Sequence, residues 1–400
     1  MKRNIRLRLL ALLLTIIGSV TNLLAENWQY RLPDKTYVAN LSLPGTHDAA
    51  TGSGFSGSLA SFGSRYAQTQ ETTIAQQFEM GIRVFDLRPC VYEGYMNINH
   101  GIMPTKLHFE DTMYEIRDLL KANPTEFVII HLLHEKDGDE VENAYNQRIV
   151  SFLESDAIKD YLVNFKKGLR VKEMRGKILV LSRDTYATLP YGGFLKNWKV
   201  DNVNWNEQTQ GQIVGRTSDN VAPMYMQDYS DTHRSGGIQT KLDAIKTMLD
   251  FSTTHNAKTS ASVKWYFNFL SAYSKVESLF GNEISLSDGY RDNATHTNKY
   301  VLDYLKSDGY QPGPMGIIMM DYAGVDKTGN YNTYGLQLVK AIIENNFGYI
   351  EDVPLGIQSA AEGTEDSSLL YDISGRPVRQ PQKGIYIKSG RKVLVTGAGH

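Results

Sequence analysis

The chain has a single cysteine in 400 residues, Cys90, so no internal disulfide can form. No cysteine stands at the boundary of the N-terminal apolar segment, which argues against a lipoprotein anchor. Neither sign of charge dominates: 42 Lys and Arg face 44 Asp and Glu, a net charge of -2, and there is no electrostatic case for nucleic acid as a partner. Beyond residues 9–20 no apolar run is long enough to span a bilayer. There is no internal repeat and no glycine-rich phosphate fingerprint of the Rossmann or P-loop kind. What remains is globular in composition, 41% hydrophobic and 22% charged, enough for a sizeable core.

The first residues, MKRNIRLR, are basic, LLALLLTIIGSV is apolar, and TNLLA offers a cleavage site after Ala25. Residues 1–25 therefore read as a signal peptide and the protein as exported. Strands are expected at 40–45, 82–88, 126–133, 177–182, 222–228, 264–271 and 316–322, and helices at 72–80, 110–122, 141–154, 156–164, 238–250 and 335–345. This alternation predicts an α/β fold, and seven or eight parallel strands point to a barrel over residues 26–350, with chemistry at the C-terminal strand ends. Residues 351–367 are polar and small and read as a linker. Residues 368–400 read as a short β-rich extension, too small for a substantial core of its own.

The stretch LSLPGTHDAATG, residues 41–52, passes from apolar residues through Pro44 and Gly45 to His47 and Asp48. It reads as a strand meeting a tight turn that delivers a proton-transfer group at the strand end. In GIRVFDLRPCVYEGYMNINHG, residues 81–101, strand alternation puts Val84, Asp86 and Arg88 on one face and Arg83, Phe85 and Leu87 on the other. Asp86 and Arg88 inside a barrel mouth are costly unless they pair or meet a ligand. An arginine opposite a carboxylate suits an oxyanion or phosphate. His100, before a Gly turn, is a second proton-transfer candidate. Two histidines, an arginine and several carboxylates suggest acid–base chemistry at a phosphodiester, with Arg88 holding the phosphoryl charge. His131 and His134 flank a buried-looking strand and read as structural, while Asn268 either meets a ligand or satisfies the backbone. His108, His233, His255, His296 and His400 belong to no motif, and Phe55, Phe62, Tyr191 and Trp198, aromatics near the mouth, read as packing, with insertion into an interface as the other reading.

In order along the chain, LPGTHD, GIRVFDLR, NHG, NPTEFVIIHL, RGKILVLSR, MQDY, NFLS and MMDY resemble the motifs of bacterial phosphatidylinositol-specific phospholipases C over about residues 28–350. The resemblance implies an irregular, incompletely closed TIM-type barrel that needs no metal. It implies cleavage of phosphatidylinositol to diacylglycerol and a cyclic inositol phosphate, with slower hydrolysis afterwards. His47 would be the general base for the inositol 2-hydroxyl and Asp321 the carboxylate that orients it. His100 would be the general acid for the diacylglycerol leaving group, supported by Asp48. Arg88 would bind the phosphate where calcium sits in metal-dependent relatives, with Asp86 behind it. Arg183 and Asp228 match residues that bind inositol hydroxyls. The chain departs from the family at Leu133, where a lysine is expected, and at Ser230, where a tyrosine is expected; Tyr229 stands beside it as the substrate contact. Headgroup preference among free, phosphorylated and glycosylated phosphatidylinositol stays open. The implied partner is a membrane phospholipid surface.

The tail has a resemblance of its own. YDISGRPV followed by KGIYIKSGRKVLV is similar to the C-terminal signal of type IX secretion substrates, although TGAGH continues beyond it. That implies an extracellular or outer-membrane location, with the periplasm as the other compartment open to an exported chain. Two further classes fit part of the pattern. A metal-dependent glycerophosphodiester phosphodiesterase needs a carboxylate cluster for calcium or magnesium, where this chain has Arg88. A non-catalytic lipid- or glycan-binding protein has no need of His47, His100 and Asp321 together.

Overall fold

The computed structural model describes residues 27–351, apart from 59, 141–143, 185–190, 201–209, 218, 231, 233–236, 256–263, 278–282 and 286–287, and in the tail residues 370–371, 377–378, 384–388 and 391–395. The expected signal peptide, most of the linker, His233 and His400 lie outside the described residues, as does the side chain of His255.

Apolar strands must pair their backbone polar groups on both sides, and nine of them do so in a closed ring. They are β1 (Ser42–Thr46), β2 (Val84–Leu87), β3 (Val128–Leu132), β4 (Ile178–Ser182), β5 (Gly193–Lys196), β6 (Gln210–Val214), β7 (Val221–Gln227), β8 (Trp265–Phe269) and β9 (Gly316–Met320). The strands follow one another around the ring in chain order. All pairs are parallel except those of β6, which runs antiparallel to β5 and β7. The barrel is an α/β barrel, as expected, but it closes. The seam is narrow: β1 pairs with β9 along its whole length and with β2 only at Gly45–Val84 and Thr46–Phe85.

The seven expected strands are β1 to β4 and β7 to β9. β5 and β6 were not expected. The helix expected at 156–164 is instead a 3-10 turn, Lys159–Tyr161, followed by extended chain that bridges Leu162 to Ile178 and Asn164 to Gly192. Pairing along the edge of β4 overrides the helical spacing there. Pro44 and Gly45 also lie inside β1 and make no turn. Gly45 is required by crowding: a Cβ there would stand 2.5 Å from the Met319 sulfur and 3.0 Å from Val84 Cβ.

Helices Ile74–Glu79, Phe109–Ala122, Tyr145–Leu153, Ile238–His255, Gly289–Lys306 and Gly335–Phe347 follow strands in the chain. Ile74–Glu79 begins with a capping box between Thr73 and Gln76. Between β2 and Phe109–Ala122 the chain inserts an antiparallel meander, Pro89–Tyr92, Tyr95–His100 and Met103–His108. Its first turn places Glu93 and Gly94 at φ 50° and 77°, both in the left-handed region that such a hairpin demands.

Residues 354–400 form a separate unit. Its described part is a four-stranded sheet in the order 377–378, 370–371, 384–388, 391–395.

Candidate active site

The parallel register assembles the site. Thr46 pairs with Met320, so the next residues of β1 and β9, His47 and Asp321, leave the barrel side by side. The His47 Nδ1 lies 2.8 Å from Asp321 Oδ1. Gln70 clamps both strand ends, its amide donating to the carbonyls of His47 (3.0 Å) and Met320 (2.8 Å). The turn itself is made by Asp48 in the left-handed region, φ 43°, which a short polar side chain tolerates.

Asp48 is the hub. Its Oδ1 meets Arg88 Nε at 3.2 Å, and its Oδ2 lies 3.1 Å from His47 Nε2 and 3.5 Å from His100 Nε2. Its backbone N–H donates to Asp86 Oδ2, 3.1 Å away. Asp86, in β2, also receives Arg88 Nη2 at 2.8 Å, and its other oxygen lies 2.8 Å from His131 Nδ1. Asp86 and His131 are register partners of β2 and β3, so both point into the barrel, and the expected shared face of Asp86 and Arg88 is present. Arg88 follows β2, and its side chain is 16% exposed. His100 ends the second meander strand, and its Nδ1 lies 2.6 Å from the Ala67 carbonyl. A carbonyl only accepts, so Nδ1 carries a proton.

Burial and charge set the protonation states. Burial opposes the charge on His47, but Asp48 and Asp321 outweigh it and hold its pKa above 6.5. For His100, burial with the repulsion of Arg88 and His47 outweighs Asp48 and lowers the pKa. Burial raises Asp321, although His47 pulls the other way. Asp86 is also buried, yet Arg88 and His131 hold it well below the ordinary carboxylate range.

Further round the ring, Arg183 follows β4 and Asp228 follows β7, with 3.7 Å between Nη1 and Oδ2. Trp198 completes this corner: its indole N–H donates to Asp228 at 2.7 Å, and its ring lies 4.9 Å from the Arg183 guanidinium. Tyr229 has a buried side chain, and its backbone N–H donates to the Gln227 amide oxygen. Asn268 is internal, bonded to Gln227 and to the Ile245 carbonyl. His134 is held by Asp139 at 2.7 Å and stacked on Tyr145.

Several site residues escaped the sequence reading. Gln70 sits in no motif, and Trp198, expected as a packing aromatic near the mouth, instead holds Asp228 and faces Arg183. Glu135, three residues past β3, is pushed up to about 7 by burial, against the pull of Arg88. Tyr290, on helix Gly289–Lys306, reaches His100 Nε2 at 3.2 Å. Only the pairing of distant segments reveals these.

His47, Asp48 and Asp86 bring ligand-type atoms within 4.8 Å of one another, the donor set a cation would need. Both carboxylates are already bonded to Arg88, so the positive charge at that place is the chain's own. Fold and site together define an α/β barrel whose C-terminal strand ends carry two histidines, an anion-binding arginine and their carboxylates.

Comparison with known proteins narrows that class. Residues 55–184 match the family described as phosphatidylinositol-specific phospholipase C, X domain, a window that holds Asp86, Arg88, His100 and Arg183. The chain is 33% identical over 176 residues to a 1-phosphatidylinositol phosphodiesterase of Listeria monocytogenes, covering 42% of this chain and 51% of that one. It is 24% identical over 333 residues to the protein of the same name in Staphylococcus aureus strain Newman, covering 80% and 94%. The barrel resembles the phosphatidylinositol-specific phospholipase C structure from S. aureus, with TM-score 0.64, 18% identity, and 80% and 97% of the two chains covered. For the L. monocytogenes structure the values are 0.55, 23%, 80% and 98%. The fold is the TIM-type barrel of these enzymes.

Proposed function

We propose that this protein is a phosphatidylinositol-specific phospholipase C, cleaving phosphatidylinositol to diacylglycerol and inositol 1,2-cyclic phosphate. The observation that carries this is the convergence on Asp48: its carboxylate lies against His47, His100 and Arg88, so a phosphodiester anion drawn to Arg88 would have a base and an acid within reach. The matches to the X domain and to 1-phosphatidylinositol phosphodiesterases support it.

In the mechanism, Nδ1–H of His47 bonds to Asp321, which leaves Nε2 to take the proton of the inositol 2-hydroxyl. The resulting alkoxide attacks phosphorus and the bond to the glycerol oxygen breaks. His100 Nε2–H protonates that oxygen, and Arg88 binds the charge on the phosphoryl oxygens. In the free protein the shifts run the other way, Asp48 and Asp321 drawing His47 towards its charged form and burial drawing His100 towards its neutral one. The Asp48 carboxylate, close to both Nε2 atoms, favours a proton on either histidine. A bound phosphodiester anion favours the charged form of His100. Arg183 and Asp228 are assigned to the inositol ring; Tyr229, expected as a third contact, has its side chain buried, and Leu133 in place of a lysine bears on headgroup preference. The substrate is met at a membrane surface.

The basic and apolar residues 1–25 support export, and the tail, 368–400, is assigned as a type IX secretion signal with no part in the chemistry. Incubation with phosphatidylinositol micelles in EDTA tests the reaction. Wild type is expected to release diacylglycerol and the cyclic phosphate, and His47→Ala to lose roughly 10²–10⁴ in rate. Turnover that appears only when calcium is added favours the metal-dependent glycerophosphodiesterase instead.

A further inference from the structure

Tyr290 has no place in the mechanism above, yet its hydroxyl lies 3.2 Å from His100 Nε2, the atom that must deliver the proton. Its ring lies 5.4 Å from that of His100 and 6.1 Å from that of His47. The contact is built with care at a distance. Tyr290 is the second residue of helix Gly289–Lys306, whose start is entered through Asp288 in the left-handed region, φ 58°. Arg291 ties that start to Asp288 and to Glu71, at 2.7 and 2.8 Å. One face further along, Asn298 donates to the carbonyl of Asp321 at 2.9 Å, so the helix is fixed to the same strand end that orients His47.

The direction of the bond follows from the other nitrogen. His100 Nδ1 faces the Ala67 carbonyl and carries a proton. In neutral His100 the Nε2 therefore has only a lone pair, and the Tyr290 hydroxyl donates to it. Charged His100 is favoured instead by the negative charge of Asp48, whose Oδ2 lies 3.5 Å from the same nitrogen. The two partners thus serve the two protonation states, the phenol the neutral one and the carboxylate the charged one. The other groups that act on His100 are Arg88 and His47, both disfavouring its charge. Burial, with Asp48 and Asp321, keeps the Tyr290 phenol protonated far above its ordinary range, so it remains a donor.

We propose that Tyr290 is a positioning residue for the acid of the reaction: it holds the His100 lone pair once the proton has gone to the leaving oxygen, and so makes His100 a stronger acid. The proposal rests on the phospholipase reading. The proton passes from Nε2 to the glycerol oxygen as the phosphorus–oxygen bond breaks, and the emptied lone pair accepts from Tyr290 O–H. Tyr290 itself stays protonated throughout.

The test is Tyr290→Phe, read in two ways. Without substrate, NMR of ring-labelled histidine follows the titration of His100. Loss of the donor is expected to raise its pKa by about 0.5–1 unit, the equivalent of one hydrogen bond. With substrate, kcat on phosphatidylinositol, whose alkoxide leaving group needs an acid, is expected to fall roughly 2- to 10-fold. An inositol phosphodiester with a nitrophenolate leaving group needs little acid and should lose far less. An unmoved His100 titration, or equal losses on the two substrates, overturns the proposal. Failure of wild type to cleave either substrate would instead overturn the phospholipase reading, and the titration would still decide the contact.

Discussion

Arg83 and Arg88 stand at the two ends of β2, and each is paired with buried carboxylate. At the N-terminal end Arg83 and Glu126 are both wholly buried and fully bonded. Arg83 donates to Glu126 and to the carbonyls of Phe78 and Ile82, and Glu126 also accepts the backbone N–H groups of Gln29 and Tyr30. At the C-terminal end one arginine faces two carboxylates, a third lies against His47, and Asp321 Oδ2 has no hydrogen-bond partner among the described residues. The first cluster is closed and can only hold the barrel together. The second is partly exposed and unbalanced in charge, which is what a site that must admit an anion requires.

Single substitutions should separate the two ends. Arg83→Met leaves Glu126 buried without its cation and is expected to cost about 3–5 kcal/mol in denaturant unfolding. The fraction still folded should turn over normally. Adding Glu126→Leu should recover only part of that loss, because the N–H groups of Gln29 and Tyr30 then lose their acceptor. Arg88→Ala is expected to do the reverse, lowering kcat by roughly 10²–10³ with a smaller change in unfolding. A large fall in turnover per folded molecule for Arg83→Met would break the comparison.

How far the sequence could lead follows the same division. β1 to β4 and β7 to β9 were legible because each is a short apolar run bounded by turn residues. β5 (GFLK) and β6 (QGQIV) are short, glycine-bearing and half polar, and only their neighbours make them strands. The meander hid because its first hairpin turn uses Glu93-Gly94, without the Asn-Gly signal. His47, Arg88, Arg183, Asp228 and Asp321 follow directly on strand ends, so finding the strands found them. Tyr290 and Trp198 reach the site from a helix start and an irregular segment. No local pattern marks them, and their role depends on the tertiary packing alone.

A finer test of the upper cluster lies in Asp321. His47 must be neutral to act as base, and its pKa is raised by Asp48 and Asp321 against burial. The His47 titration, followed by NMR of ring-labelled histidine, should therefore have its midpoint above 6.5. Asp321→Asn removes one of the two charges, so the midpoint should move down. The rate at the plateau should fall about 10- to 100-fold, the worth of a hydrogen bond to a charged group. A His47 midpoint that stays in place would mean that Asp321 does not set the charge of the base.

The smallest effect expected belongs to Glu135, and it turns the comparison into a pH dependence of stability. Unlike Glu126, this carboxylate lies at the open end, where burial pushes it up to about 7 despite Arg88. Its folded pKa is above the unfolded value, so between about 4.5 and 7 the folded protein holds more of this proton than the unfolded chain does. The group's contribution is thus present at acid pH and is lost as pH rises towards and through 7. Glu135→Gln cannot ionise, so its unfolding free energy should change less across this window. At pH 8 the variant should be the more stable protein by about 1–3 kcal/mol, discounted for partial solvent screening. Denaturant curves at pH 5, 6, 7 and 8 measure the difference. Parallel profiles for the two proteins would place the excess charge of the open end on Asp48, Asp86 and Asp321 alone, with Glu135 a bystander at its rim.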